Sequence, residues 1–279
     1  MEVKVVVGVD GSARSRAAAD WAAREALSRR LPLRVAHVSS SSGRGLVDSW
    51  PYRPETVADS VVRELAARHP ALKVEGVWLT GAPVPALAAC AAGAAVTVLG
   101  SRGAGGFAGL ALGTVAQGVA ASVQGPVVLV PSGLVCEGPR RRPDKVTLGL
   151  DARHPADDAV DFALDVAARR GARLHALYAW ELPLPAAELL PLPVPEADRA
   201  DWEDHEVQLL SDALRPWRDK YPQVRILEDV ALFDPAKALA RASGSAQMMV
   251  VGRGRGDGLG PVVDALVRQA KCPVAVVPS

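Results

Sequence analysis

The chain restates itself. Val146-Thr147-Leu148-Gly149-Leu150-Asp151 copies the pattern of Val5-Val6-Val7-Gly8-Val9-Asp10 at an offset of 141, and the register holds without a gap from Asp10/Asp151 to Leu33/Leu174. Further along, Met249-Val250-Val251-Gly252 matches Thr97-Val98-Leu99-Gly100, and Cys272-Pro273-Val274-Ala275-Val276-Val277-Pro278 matches Gly125-Pro126-Val127-Val128-Leu129-Val130-Pro131. A repeat on this scale means that one domain is built twice. With 279 residues and 49% hydrophobic content there is material for two cores. The expected domains are residues 1–137 and 144–279, joined by a charged, proline-containing linker from Gly138 to Pro143.

Within the first copy, strand and helix patterns alternate. Val3 to Val9 is almost entirely β-branched, as suits a central parallel strand covered on both faces. A helix with alanine, tryptophan and leucine at helical spacing follows from Ser15 to Arg30, which Asp10 or Ser12 could cap. Leu33 to Val38 reads as strand, Ser39 to Gly45 as loop, Pro54 to His69 as helix, Lys73 to Leu79 as strand and Pro83 to Ala92 as helix. Val96 to Leu99 and Val127 to Val130 supply the last two strands, with a helix restarting at Gly113-Thr114 between them. Five strands alternating with four helices predict an α/β fold of the doubly wound kind, with helices on both faces of a parallel sheet. The second copy carries a longer segment, Leu182 to Pro195, and then a long helix from Ala197 to Tyr221 with Trp202, Leu209, Leu210 and Leu214 on its apolar face.

The most informative loop follows the fourth strand, where glycines are spaced Gly100-x2-Gly103-x9-Gly113-Thr114. Glycine lets a ligand approach the backbone, and a helix start offers unpaired N–H groups to an anion. A nucleotide phosphate is the expected ligand. In the second copy Gly252 to Gly260 spans 8 residues instead of 13, and Pro261 replaces Thr114, removing an N–H and a hydroxyl. An anion site is therefore expected in the first half and a degenerate one in the second.

Two other phosphate motifs fail. No lysine follows Gly106, Gly109 or Gly113 as a P-loop requires. Gly103-Ala104-Gly105-Gly106-Phe107-Ala108 fits a dinucleotide fingerprint but follows the fourth strand, and no acidic residue stands about 20 positions on to hold a ribose. Asp10 ends the first strand, where ligands of doubly wound sheets bind, and can accept ribose hydroxyls, help hold magnesium, or cap the helix. Arg102 is equally readable as a phosphate contact or a solubilising residue.

Composition excludes several classes. A net charge of +1 gives no field for nucleic acid, and Arg140-Arg141-Arg142 reads as a solvated linker. Cys90, Cys136 and Cys272 have neither disulfide nor zinc spacing, consistent with a reducing cytoplasm. The chain opens directly into a strand pattern without a leader, and the apolar run from Ala82 to Leu99 is broken by Pro83 and Pro85, so no membrane span is expected. His37, His69, His154, His175 and His205 show no paired spacing and no glycine-flanked nucleophile, so no enzyme and no catalytic residues are expected.

The opening VVVGVDGSARSRAAADWAAREA, the strand LRVAHV, the loop G-x2-G-x9-G-[ST] and the close GPVVLVP resemble the universal stress protein family in its tandem two-domain form. The resemblance implies two five-stranded parallel sheets of order 3-2-1-4-5 and ATP bound with magnesium where the loop is intact. It places adenine and ribose contacts at Gly8, Val9, Asp10 and Val38, and phosphate contacts at Gly100, Arg102, Gly103, Gly113, Thr114 and Val115, with Leu99 beside them. It further implies pairing of domains through the last strands, Val127 to Val130 and Val274 to Val277, either between chains of a homodimer or within one chain. The function expected is a cytoplasmic ATP-binding stress-response regulator whose second domain is a structural copy or contacts a protein partner. The alternatives are a scaffold without nucleotide, its pocket filled by Phe107, and a slow ATP hydrolase.

Overall fold

Val5, Val6 and Val7 are fully buried, which is what a strand covered on both faces requires, and they form the centre of the first of two units. The computed structural model describes residues 3–39, 56–102, 112–131, 144–181, 196–254, 256 and 258–278, with side chains in the helix at 196–201 left aside. The linker, the serine-rich loop, Cys136, Phe107, Gly103 and the Leu182 to Pro195 segment lie outside the described residues. The first unit comprises Met1–Cys136 with Gly256–Leu259 and Pro273–Pro278; the second comprises Glu137–Arg255 with Gly260–Cys272 and Ser279.

In the first unit the order is β1 (Val5–Gly8), α1 (Ala13–Arg29), β2 (Leu33–Ser39), α2 (Val57–Arg68), β3 (Val74–Thr80), α3 (Pro83–Cys90), β4 (Val96–Gly100), α4 (Thr114–Ser122) and β5 (Val127–Val130). These five strands are parallel and ordered β3-β2-β1-β4-β5, the expected arrangement. Val7 stands beside Val35 on one side and Val98 on the other. β10 (Val274–Val277) groups with this unit and runs antiparallel to β5, with Val274 opposite Leu129.

The second unit contains β6 (Lys145–Gly149), α5 (Asp157–Arg170), β7 (Arg173–Trp180), α6 (Glu196–Lys220), β8 (Ile226–Leu232), α7 (Pro235–Ala242), β9 (Met248–Gly252) and α8 (Pro261–Gln269). Its parallel strands run β9-β6-β7-β8, repeating β4-β1-β2-β3. Leu210 and Leu214 of the long helix α6 are fully buried, whereas Leu209 is only half-buried.

Element ends differ from expectation for local reasons. β1 begins at Val5, where pairing with Leu33 and Val96 starts, and Val3 is exposed. Thr56 opens α2 through a reciprocal capping box with Asp59, three residues later than the sequence pattern suggests. Ser12, not Asp10, caps α1: its Oγ accepts from the Ser15 N–H at 3.1 Å. No helix among the described residues is long and apolar enough to cross a membrane.

Candidate functional site

The carboxyl ends of β1, β2 and β4 gather most of the residues singled out from the sequence, at the edge where open α/β sheets hold ligands. Gly8 ends β1 under a tight roof. A Cβ there would stand 2.4 Å from Leu99 Cδ2 and 3.4 Å from Leu87 Cδ2, so the missing side chain lets β4 and α3 close over the strand. Val9 is buried, and its carbonyl accepts from His37 Nδ1 at 2.8 Å, which fixes the proton on that nitrogen. The His37 ring meets Trp78 edge-on at 5.9 Å. Asp10 is exposed, and its Oδ1 accepts from the Ser12 N–H at 3.0 Å and the Ser12 hydroxyl at 2.6 Å. It thus orients the cap of α1 while its carboxylate faces solvent. Val38 is half-buried two residues beyond the level of Gly8 on β2.

Leu99 is buried, Gly100 ends β4 and Arg102 is half-buried just beyond it. A Cβ on Gly100 would lie 3.2 Å from the Arg102 carbonyl and 3.5 Å from that of Arg14, a close backbone approach. The glycine loop is stitched at its base, where the Gly113 N–H donates to the Ser101 carbonyl at 2.8 Å. α4 therefore starts beside the end of β4. Gly113, extended at φ −77°, contributes no side-chain cap, so Thr114, Val115 and the rest of the first turn have N–H groups available for an anion. Thr114 is exposed and Val115 half-buried, while Gly103 lies outside the described residues. Among the described residues no three His, Cys, Asp or Glu side chains cluster as metal ligands. Asp10 is a carboxylate that could share a magnesium ion with the phosphates of a nucleotide at these strand ends.

In the second unit the equivalent place is a cavity of about 620 Å³. Its floor is formed by Gly149, Leu150 and Asp151, the counterparts of Gly8, Val9 and Asp10. Val251, Gly252 and Gly254 answer Leu99, Gly100 and Arg102; Gly260, Pro261 and Val262 answer Gly113, Thr114 and Val115. The stitch is also repeated, with the Gly260 N–H donating to the Arg253 carbonyl at 3.4 Å. Leu239 of α7 takes the part of Leu87, so close over Gly149 that a Cβ would meet its Cδ2 at 2.7 Å. The second unit thus has an open cavity at the strand ends, with Pro261 at its rim in the place of Thr114.

One group here had escaped sequence reasoning. Tyr178 OH donates to Glu206 Oε2 at 3.0 Å, and Arg153 pairs with the other carboxylate oxygen. Burial first, then Glu206, pushes the Tyr178 phenol up to about 12, with Arg153 opposing. The signal was available: Glu206 falls in the buried stripe with Leu210 and Leu214 at four-residue spacing, and a carboxylate there needs partners. Asp151 accepts from the Arg153 N–H at 3.0 Å and pairs with His154 Nδ1 at 3.4 Å. The indole N–H of Trp180, a residue of the cavity wall, is buried and has no hydrogen-bond partner among the described residues.

A model of the universal stress protein family matches residues 2–131 and again residues 143–278. The universal stress protein Rv1996 of Mycobacterium tuberculosis is 32% identical over 305 residues, which cover 98% of this chain and 94% of that protein. Universal stress protein Rv2623 of the same organism is 30% identical over 301 residues, covering 98% and 95%. Among solved structures, a universal stress protein from Archaeoglobus fulgidus superposes with a TM-score of 0.63 over 98% of this chain and 96% of that one, at 19% identity, a likeness of fold alone. The duplication seen in the sequence, the repeated strand order and two successive family matches lead to one conclusion: this chain belongs to the universal stress protein family.

Proposed function

We propose that this universal stress protein binds ATP with magnesium in its first unit and acts as a cytoplasmic regulator of the stress response, not as an enzyme. The observation that carries the reading is the stitch from Gly113 to Ser101, which sets the uncapped start of α4 next to the end of β4. Phosphates would lie against Gly100, Arg102 and the N–H groups of Thr114 and Val115, and the ribose near Asp10, with Val9 and Val38 beside the base. Bound magnesium would supply charge neutralisation for the phosphates. Partner proteins would then read the nucleotide state. A homodimer would use a surface other than the edge of β5, where β10 lies.

Thermal unfolding with and without Mg-ATP tests the reading. At 100 times the dissociation constant, a site of this kind adds about 2.7 kcal/mol, or roughly 5 to 10 °C in melting temperature. Gly113→Asp should abolish the shift while leaving the apo protein as stable or a few tenths of a kcal/mol more so, because the new carboxylate caps α4 and occupies the anion site. No shift in the wild-type protein would leave the scaffold reading. Steady phosphate release that Asp10→Ala abolishes would make the protein a hydrolase.

A further inference from the structure

One pair of helices is built to different standards in the two units. In the first, α3 and α4 pack together through Val84 and Gly118. A Cβ on Gly118 would stand 2.8 Å from Val84 Cγ2 and 3.2 Å from its Cγ1, so the bare backbone is the notch that takes the valine. α7 and α8 pack likewise in the second unit, where the matching positions are Ala236 and Ala265.

The notch weakens α4, because glycine in a helix interior is worse than alanine and a helix of nine residues is marginal without support. Nothing at its ends compensates: α4 has no acidic residue in its first turn, no basic residue in its last and no side-chain cap. α8 has the same length but starts with Pro261, where proline suits a helix, and joins Asp264 to Arg268 by two hydrogen bonds of 2.9 and 3.0 Å. The partners differ in the same sense. α3 has no charged residue and no side-chain cap, whereas Asp234 caps α7 by accepting from the Lys237 N–H at 2.8 Å, and Arg241 stands in its last turn. The weaker pair is the one whose α4 starts at the anion site of the first unit.

We propose that α4 is ordered by its ligand and that Val84, seated at Gly118, passes this ordering to α3, while the α7–α8 pair is ordered from the outset. The proposal rests on nucleotide binding by the first unit. A phosphate at the start of α4 satisfies N–H groups of the first turn, and because helix formation is cooperative it steadies so short a helix to its end. Part of the binding free energy is spent on this ordering, so affinity is lower than a preformed helix would give. Occupancy of the site then changes how firmly the exposed side of α3, at Pro85 and Ala89, is held.

Hydrogen–deuterium exchange on the full chain tests this. Without ligand, protection of residues 116–122 should be at least about tenfold lower than that of residues 263–269. Mg-ATP should then slow exchange to the last turn of α4 and at residues 87–91 of α3, leaving residues 263–269 unchanged. Val84→Ala empties the notch, so ATP should still protect α4 and no longer protect residues 87–91. Gly118→Ala combined with Val84→Ala should raise the protection of α4 without ligand and tighten ATP binding by about two- to fivefold, since less ordering remains to be done. Equal protection of α4 and α8 without ligand overturns the proposal, as does an effect on α3 that survives Val84→Ala or an unchanged affinity in the double variant. ATP protection confined to residues 96–100 and 112–116 sinks the proposal alone and leaves nucleotide binding standing. If Mg-ATP slows exchange nowhere in the first unit, the nucleotide reading fails and the proposal falls with it.

Discussion

Leu99 leaves no room for a Cβ on Gly8, and this single contact shows how packing and site are linked. Gly8→Ala should destabilise the first unit by about 1–2 kcal/mol, since the buried Leu99 must leave its rotamer, and Leu99→Val should recover part of the loss in the double variant. Urea denaturation of the four proteins checks both. Tyr178 gives the alkaline counterpart in the second unit. Its folded pKa is raised to about 12 from the ordinary value near 10, so its contribution to stability is complete below pH 10 and is lost as pH rises toward 12. Cys272, whose thiol burial also pushes up to about 12, titrates in the same window. Denaturation measured between pH 9 and 12 should therefore fall less steeply for Tyr178→Phe than for the wild type, with the Cys272 part remaining. An unchanged slope would remove Tyr178 from the account. Glycine spacing and Asp10 were legible in the sequence because they act through backbone geometry over a few residues. The Tyr178–Glu206–Arg153 group was not, because its members come from β7, α6 and the turn after β6 and meet only once the sheet has formed.

At the scale of elements, the repeat supplies its own controls. α1 ends at Arg30, the described non-glycine residue with positive φ, at φ 55°, while the matching end of α5 has Gly171 at φ 58°. Both residues close their helices with backbone N–H bonds to the last turn, but only glycine adopts this conformation without Cβ strain. Arg30→Gly should accordingly stabilise the first unit by about 0.5–1 kcal/mol, after allowing for the greater freedom of glycine in the unfolded chain. Gly171→Ala should destabilise the second by a similar amount. Thermal unfolding reads both, and equal effects of the same sign would contradict the argument. The alternation of strands and helices followed from the sequence pattern and the strand order from the family resemblance, whereas the ends of elements depended on caps such as Ser12 and Thr56. The cavity of the second unit was hidden from sequence reasoning for another reason: Pro261 announces a lost anion contact, but says nothing of the space that Leu239 and Val251 continue to frame.

At the scale of the whole molecule, duplication has kept a fold and varied a rim. The loop from Ser101 to Gly113 and its shorter counterpart from Arg253 to Gly260 are each tied at the base by one backbone hydrogen bond. Replacing residues 102–112 by the sequence of residues 254–259 should then change stability by no more than about 0.6 kcal/mol, the loop-closure effect of roughly halving its length. The same exchange should eliminate the Mg-ATP shift. Urea denaturation and thermal unfolding, run in parallel, distinguish loss of ligand from loss of fold. The consequence reaches beyond any one ligand. Because that bond is made by main-chain atoms alone, neither the composition nor the length of what it encloses affects how the strand hands over to the helix. Insertions and deletions can accumulate there while the strand ladders keep their register, so that either copy of a repeated domain is free to vary its rim without disturbing the sheet.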